Sequence, residues 1–305
     1  MIESNRLAVE LGSGRPPAVA PRHQAVRAAV KRRRAAPVFA VTSGKGGVGK
    51  TNVVANVAIA LARSQRRVMI IDADLGLANL DLYLGLKPTR TLADFFSGAA
   101  TLDEIVLTNR DGILVMPGSS GVQEITQLRP EQKNSLLTEL DLLTDEIDLV
   151  LLDSASGISD MVTYFTSAAH EIIVVVTPEP SSMTDAYALM KVLALQQRQT
   201  RFLVLANNVS GVDEARRLFD TLSSTALRFL NVSLDLLGWI PRDPMLLRAA
   251  ARAATVVTDY PNSPSAQAFS RLAGNLAERA DERLKVTGNV QFFLRRMLET
   301  GKADQ

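Results

Sequence analysis

The segment VFAVTSGKGGVGKTN, residues 38–52, holds two lysines, Lys45 and Lys50, in a glycine-rich turn. Gly44, Gly49, Lys50 and Thr51 satisfy the spacing G-x-x-x-x-G-K-[ST] of a phosphate-binding loop. Backbone N–H groups of such a turn face phosphate oxygens, and the N-terminus of the following helix adds partial positive charge. In that arrangement Lys50 neutralises the β and γ phosphates, and the Thr51 hydroxyl ligates Mg2+. The run Gly44, Lys45, Gly46, Gly47, Val48, Gly49, Lys50, Thr51 and Asn52 is expected to wrap the nucleotide. Average residue frequencies produce this pattern by chance in roughly one chain per hundred of this length. Its place between an apolar strand and an amphipathic helix makes chance rarer still.

A triphosphate with Mg2+ also needs acidic groups near the metal and the attacking water. The stretch RVMIIDAD ends an apolar run at Asp72 and places Asp74 two residues on. A second run, IDLVLLDSASG, ends at Asp153. One aspartate closing a strand is as often a helix cap as a ligand. Three of them beside a complete phosphate loop favour the ligand. Asp153 is expected to hold Mg2+ through its water shell. Asp72 and Asp74 would contact that shell and position the water, and Gly157 would bring a backbone N–H near the γ-phosphate.

Such residues must be carried at the carboxyl ends of neighbouring parallel strands. The pattern supplies them. Short, nearly continuous apolar runs at 38–42, 67–72, 113–118, 147–153, 171–177, 201–207 and 235–240 read as strands buried on both faces. Helical stretches near 52–63, 130–145, 159–167, 183–198, 213–230 and 264–280 lie between them. The alternation predicts an α/β fold, a doubly wound and mostly parallel sheet with helices on both faces. The expected organisation is a basic N-terminal arm (1–37), one catalytic domain (38–285) and a C-terminal amphipathic helix with its tail (286–305).

Composition narrows the chemistry. With 305 residues, 47% hydrophobic and 22% charged, the chain can build a full core. It has no cysteine, which excludes disulfides, thiolate metal sites and iron–sulfur ligation by thiolates. His23 and His170 are the only histidines, so a histidine zinc site is not expected, and His170 reads as structural. No apolar run reaches the roughly 18 residues of a membrane span, and the first residues lack the apolar segment of a signal peptide. Residues 1–37 carry eight basic and two acidic side chains, a local charge of +6 on a chain of net +2. A basic arm of this kind suits an acidic surface, nucleic acid or a membrane.

The lysine directly after the first glycine of SGKGGVGKT resembles the deviant phosphate loop of the MinD/ParA group of dimerising ATPases. The stretches DADLGLANLDLYLGLKPTRTLADFFSG, MPGSSGVQEI, SASGISDMVTYFTSAAHEIIVVVTPEPSSMTDAYALMKVL and VSLDLLGWIPRDPMLLRAARA are similar to its flagellar branch, the FlhG (FleN) family of flagellar number regulators. The resemblance covers about residues 38–280. It implies that ATP and Mg2+ drive a homodimer in which Lys45 crosses to the γ-phosphate of the partner subunit. It further implies that Asp74 positions the attacking water and that Asp72 and Asp153 serve Mg2+. Asn207, Pro241 and Asp243 match positions that hold adenine, and Glu179 lies in a loop that faces the partner. The implied partners are an FlhF-like GTPase and a FleQ-type transcription activator. Turnover would be slow, as in a timer, and location cytoplasmic, reversibly at the inner face of the membrane.

Relatives in the family often carry an N-terminal D-Q-A-x-x-L-R motif that stimulates FlhF. Here HQAVRAA keeps Gln24 but replaces the Asp with His23. Near the C-terminus, Val290, Phe293, Leu294, Met297 and Leu298 recur at helical spacing beside Arg295 and Arg296. This basic amphipathic stretch would either dock back onto the body or, as the favoured reading has it, bind membrane weakly as one copy and more firmly as two on an ATP dimer. The alternative is a ParA/MinD-type positioning ATPase for division or cargo, whose basic arm contacts DNA phosphates.

Overall fold

The computed structural model describes residues 36–73, 80–90, 94–95, 97–117, 139, 147–159, 162–163, 165–166 and 169–286, the last three without their side chains. Gln24, Asp74 and the tail residues Val290, Phe293, Leu294, Met297 and Leu298 lie outside them, as does nearly all of the helix expected over 130–145.

The described elements follow in chain order as β1 (Val38–Ser43), α1 (Lys50–Arg63), β2 (Val68–Ala73), α2 (Leu80–Leu84), α3 (Leu102–Ile105), β3 (Leu107–Thr108) and β4 (Leu114–Met116). Then come β5 (Leu149–Ser156), β6 (Glu171–Val176), α4 (Pro180–Gln197), β7 (Arg201–Val209), α5 (Val212–Leu230) and β8 (Ser233–Pro241). The last are α6 (Pro244–Ala250), α7 (Val256–Asp259) and α8 (Pro264–Val286). All seven expected strands form. The one expected at 113–118 shortens to three residues, and the two-residue β3 adds an antiparallel edge. The short helices α2, α3, α6 and α7 were not legible, because four to seven residues carry too few repeats to show a period.

The eight strands run β3-β4-β2-β5-β1-β6-β7-β8, parallel except for the β3–β4 pair. Their apolar continuity has a plain cause. In β6, Ile173 and Val175 join the core under α1 and α8, while Ile172, Val174 and Val176 join the core under α4 and α5. Alternate side chains thus serve opposite layers. Helix α1 is buried almost all round, with Val53 to Leu61 enclosed, because it lies between the sheet and α8. Helix α5 is one-sided, burying Ala215, Leu218, Leu222 and Ala226 at helical spacing.

Charge pins the amino-end pole. Glu171, at the start of β6 and 8% exposed, accepts from Arg283 at 2.7 Å and Arg279 at 3.4 Å, both on α8. Arg66 pairs with Asp281 at 2.7 Å, fixing the α1–β2 turn to the same helix. His170 is structural as expected: its Nδ1 accepts from the Val38 N–H at 3.0 Å. Glu171→Ala should leave two arginines facing a half-buried gap and lower the unfolding free energy by about 2–3 kcal/mol, the low side for a broken buried pair because the arginines keep some solvent. A urea titration would measure it, and an unchanged midpoint would remove Glu171 from the account of stability.

Candidate functional site

The site forms where β1 hands over to α1, next to β5 and β6, at the carboxyl edge of the sheet where its winding reverses. Gly49 caps α1 with φ 94°, a left-handed conformation that a side chain resists. A Cβ there would also sit 2.8 Å from Asn207 Nδ2. No side chain caps α1 and no acidic residue lies in its first turn, so its leading N–H groups and partial positive charge stay open to an anion. Gly44 answers to a different constraint. A Cβ at Gly44 would lie 2.0 Å from the backbone oxygen of Asp185 on α4.

Both lysines are held from their own chain. Lys50 is buried, and its Nζ donates to Ser43 Oγ at 3.1 Å, while Ser43 Oγ donates to the Lys45 carbonyl at 2.7 Å. Lys45 turns the other way. Its Nζ donates to Glu179 Oε2 at 2.6 Å and Ser181 Oγ at 2.9 Å. Glu179 is the N-cap residue of α4, with Pro180 at the first helical position.

Register brings the strand-end carboxylates together. Asp72 on β2 pairs with Asp153 on β5, so their Cα atoms lie about 4.8 Å apart, one interstrand spacing. Both follow by two residues a side chain in the α1 core, Ile70 and Leu151, so both face the layer where Lys50 and Thr51 begin α1. They are 4% and 1% exposed. Among the described residues no group of three carboxylates or histidines could hold a metal by itself. The Thr51 hydroxyl and the two carboxylates are hard oxygen donors, a type that suits Mg2+ sharing its coordination with phosphate and water. Gly157 does not meet its expectation: its N–H donates to the Ser43 carbonyl at 2.9 Å and closes the loop rather than facing a phosphate.

Two adjoining cavities open here. The first, of 560 Å3, is lined by Gly46, Gly47, Gly49, Lys50, Thr51, Asn52, Tyr83 and Ser156 among others. The second, of 510 Å3, is lined by Lys45, Val48, Asn52, Tyr83, Thr177, Asn207, Pro241, Asp243 and Leu246 to Leu247, among others. Buried polar atoms around them have no hydrogen-bond partner among the described residues: Asn52 Nδ2, Thr177 Oγ1 and Asn207 Oδ1. Buried polar atoms lining a cavity need a partner, and a polar ligand there would supply one. Asn207 has a fixed sense, because its Nδ2 donates to the Val48 carbonyl at 2.7 Å and leaves Oδ1 as a pure acceptor.

Asp243 lines the second cavity, yet its carboxylate is engaged elsewhere. It accepts from Met245 N at 2.8 Å, Ser265 N at 3.0 Å and Ser265 Oγ at 2.6 Å. Burial pushes this carboxyl up, but the hydrogen bonds outweigh it and hold it below its usual 3.8. Sequence reading missed Ser43, Ser181, Tyr83, Thr177 and the α6 wall. Ser43 borders the motif and was within reach; the others come from distant elements with no local signal.

A family model described as "ParA: NUBPL iron-transfer P-loop NTPase" matches residues 34–277. The chain therefore belongs to the ParA family of P-loop NTPases. Within that family it is 42% identical over 272 residues to the antiactivator FleN of Pseudomonas aeruginosa, covering 87% of this chain and 96% of FleN. It is 30% identical over 244 residues to the flagellum site-determining protein YlxH of Helicobacter pylori, covering 80% and 82%. Among solved structures, the septum site-determining protein MinD of Pyrococcus horikoshii, complexed with Mg-ADP, superposes with a TM-score of 0.62 at 25% identity, covering 82% of this chain and 100% of that one. The chain is thus a homologue of the antiactivator FleN with a MinD-like fold.

Gly44→Ala should weaken nucleotide binding by about fivefold to 150-fold, since overpacking typically costs about 1–3 kcal/mol. Titration with a fluorescent ADP analogue reads this out; full affinity in the variant would show that the loop does not depend on its approach to α4.

Proposed function

We propose that the chain is an ATP-dependent dimerising switch that regulates flagellar number and placement. The observation that carries this reading is Lys45, a second lysine in a complete phosphate loop, held at the rim of the site by Glu179 in a chain so similar to FleN. ATP would lie across the two cavities, its phosphates on the loop beside Lys50. Thr51 would hold Mg2+, with Asp72 and Asp153 reaching it through water. The metal supplies positive charge to the phosphate oxygens. Asn207 Oδ1 would accept from the exocyclic amine of adenine, and Pro241 would border the base. Guanine presents a carbonyl oxygen at that position, so the same acceptor disfavours GTP.

The Lys45–Glu179 pair is half exposed, with side chains 35% and 59% accessible. Exposed pairs are worth about 0–1 kcal/mol, whereas a charge-assisted bond to phosphate in a closing interface is stronger. Lys45 therefore leaves Glu179 at little cost when a partner's γ-phosphate comes within reach, and one subunit's lysine completes the other's site. The arrangement supplies a second cation for the charge that develops in phosphoryl transfer. Asp74 positions the attacking water. Leu82, Ile158 and Leu247, each more than half exposed, border the same edge and would be covered in such a dimer.

Downstream, the dimer would bind the inner face of the cytoplasmic membrane through Val290, Phe293, Leu294, Met297 and Leu298. It would act with an FlhF-like GTPase, contacted through the arm around Gln24, or with a FleQ-type activator, and hydrolysis would release them slowly.

Lys45→Ala should retain ATP binding but stay monomeric by light scattering and lose turnover, while Lys50→Ala should lose nucleotide altogether. A Lys45→Ala protein that still dimerises on ATP would defeat the switch mechanism. For the cellular role, deletion should change the number or placement of flagella. Unchanged flagella, together with salt-sensitive DNA binding by the ATP form, would move the assignment to a ParA-type cargo positioner.

A further inference from the structure

Asp243 sits at the mouth of the second cavity but presents no free carboxylate to it. The group is 5% exposed, and its three donors belong to the first turns of two different helices. Oδ1 takes the Met245 N–H of α6. Oδ2 takes both the backbone N–H and the hydroxyl of Ser265 on α8. Ser263 extends the cluster, with its Oγ 3.3 Å from Ser265 Oγ and accepting from Ala266 N at 3.3 Å.

The two helices differ greatly in what holds them. α6 has seven residues, too few to keep its direction by its own hydrogen bonds. It buries only Ala249, yet its Leu246, Leu247 and Ala250 line the second cavity. α8 has 23 residues, and its Ala266, Phe269, Leu272, Ala273 and Leu276 are buried in the core it shares with α1 and the sheet. The carboxylate is thus a joint between a weakly held wall and a firmly held helix. A carboxylate suits the place because all three incoming groups are donors, two of them at helix N-termini where negative charge is favoured.

We propose that Asp243 is a positioning residue for the nucleotide base: without touching the ligand, it sets α6 at the distance that the base requires. The inference rests on the reading of the two cavities as a nucleotide site, and it replaces the direct adenine contact expected from sequence. An amide cannot substitute, since its NH2 would meet the Ser265 N–H donor to donor. Leu246 and Leu247 of the wall line only the second cavity, whereas Ala250 at its end borders both, and the phosphate loop is held by α4 rather than by α6. Loss of the joint should therefore fall chiefly on the base end of the ligand.

The test compares ATP with inorganic tripolyphosphate, each with Mg2+, on the full chain by calorimetry. Wild type should bind ATP the more tightly. Asp243→Asn should weaken ATP about tenfold or more, the scale of one lost charged hydrogen bond, and leave tripolyphosphate within about twofold. Ser265→Ala removes two of the cluster's contacts without burying a new charge, so it should fold and show the same selective loss at smaller size, about threefold. Equal losses for both ligands would mean a merely structural role and overturn the proposal. So would undiminished preference for ATP in Ser265→Ala and Asp243→Asn. If wild type binds neither ligand, the nucleotide reading itself fails, an outcome separate from the other two.

Discussion

Gly44 presses the backbone of the phosphate loop against the backbone of α4, closer than any side chain would permit. The rest of the site depends on that approach. It brings the loop beside the start of α4, where Glu179 and Ser181 hold Lys45. Ser43, one residue earlier, links the two lysines from opposite ends: its hydroxyl accepts from Lys50 and donates to the Lys45 carbonyl. Its own carbonyl takes the Gly157 N–H and so ties the loop to the end of β5. Loop, α4 and the end of β5 thus meet at two consecutive residues.

A division of labour between the lysines follows. Lys50 is enclosed and hydrogen-bonded at 3.1 Å to Ser43 at the end of β1, which suits a group already in place for phosphate. Lys45 is at the surface in a pair of small net worth, which suits the exchange of partner proposed for it. The same contrast recurs around the second cavity. Asn207 is locked by Val48 and offers one unsatisfied acceptor, whereas the α6 wall has little burial of its own and relies on Asp243 and α8.

Much of this was legible in the residues. Parallel strands buried on both faces show as continuous apolar runs, and a phosphate loop has fixed spacing, because both are local consequences of backbone geometry. Asp72 and Asp153 could be picked out as strand-end carboxylates for the same reason. Their matching register could not, since it depends on which strands become neighbours: β5 is separated from β2 by more than seventy residues yet pairs with it directly. Gly157 went wrong by the same route. Its φ of 94° is the left-handed conformation that glycine allows, but the carbonyl that takes its N–H comes from β1.

By itself the sequence determined the class of fold, the phosphate chemistry and the presence of a surplus cation. These follow from residue type and short-range spacing, and no arrangement of the distant chain alters them. Only the tertiary structure decided what each side chain is free to do. Lys45 is restrained by a glutamate 134 positions away, and Asp243 is diverted from the cavity by a serine 22 positions on. Both outcomes turn on hydrogen-bond competition among groups that folding brings together, and such competition is settled by distance in space rather than along the chain.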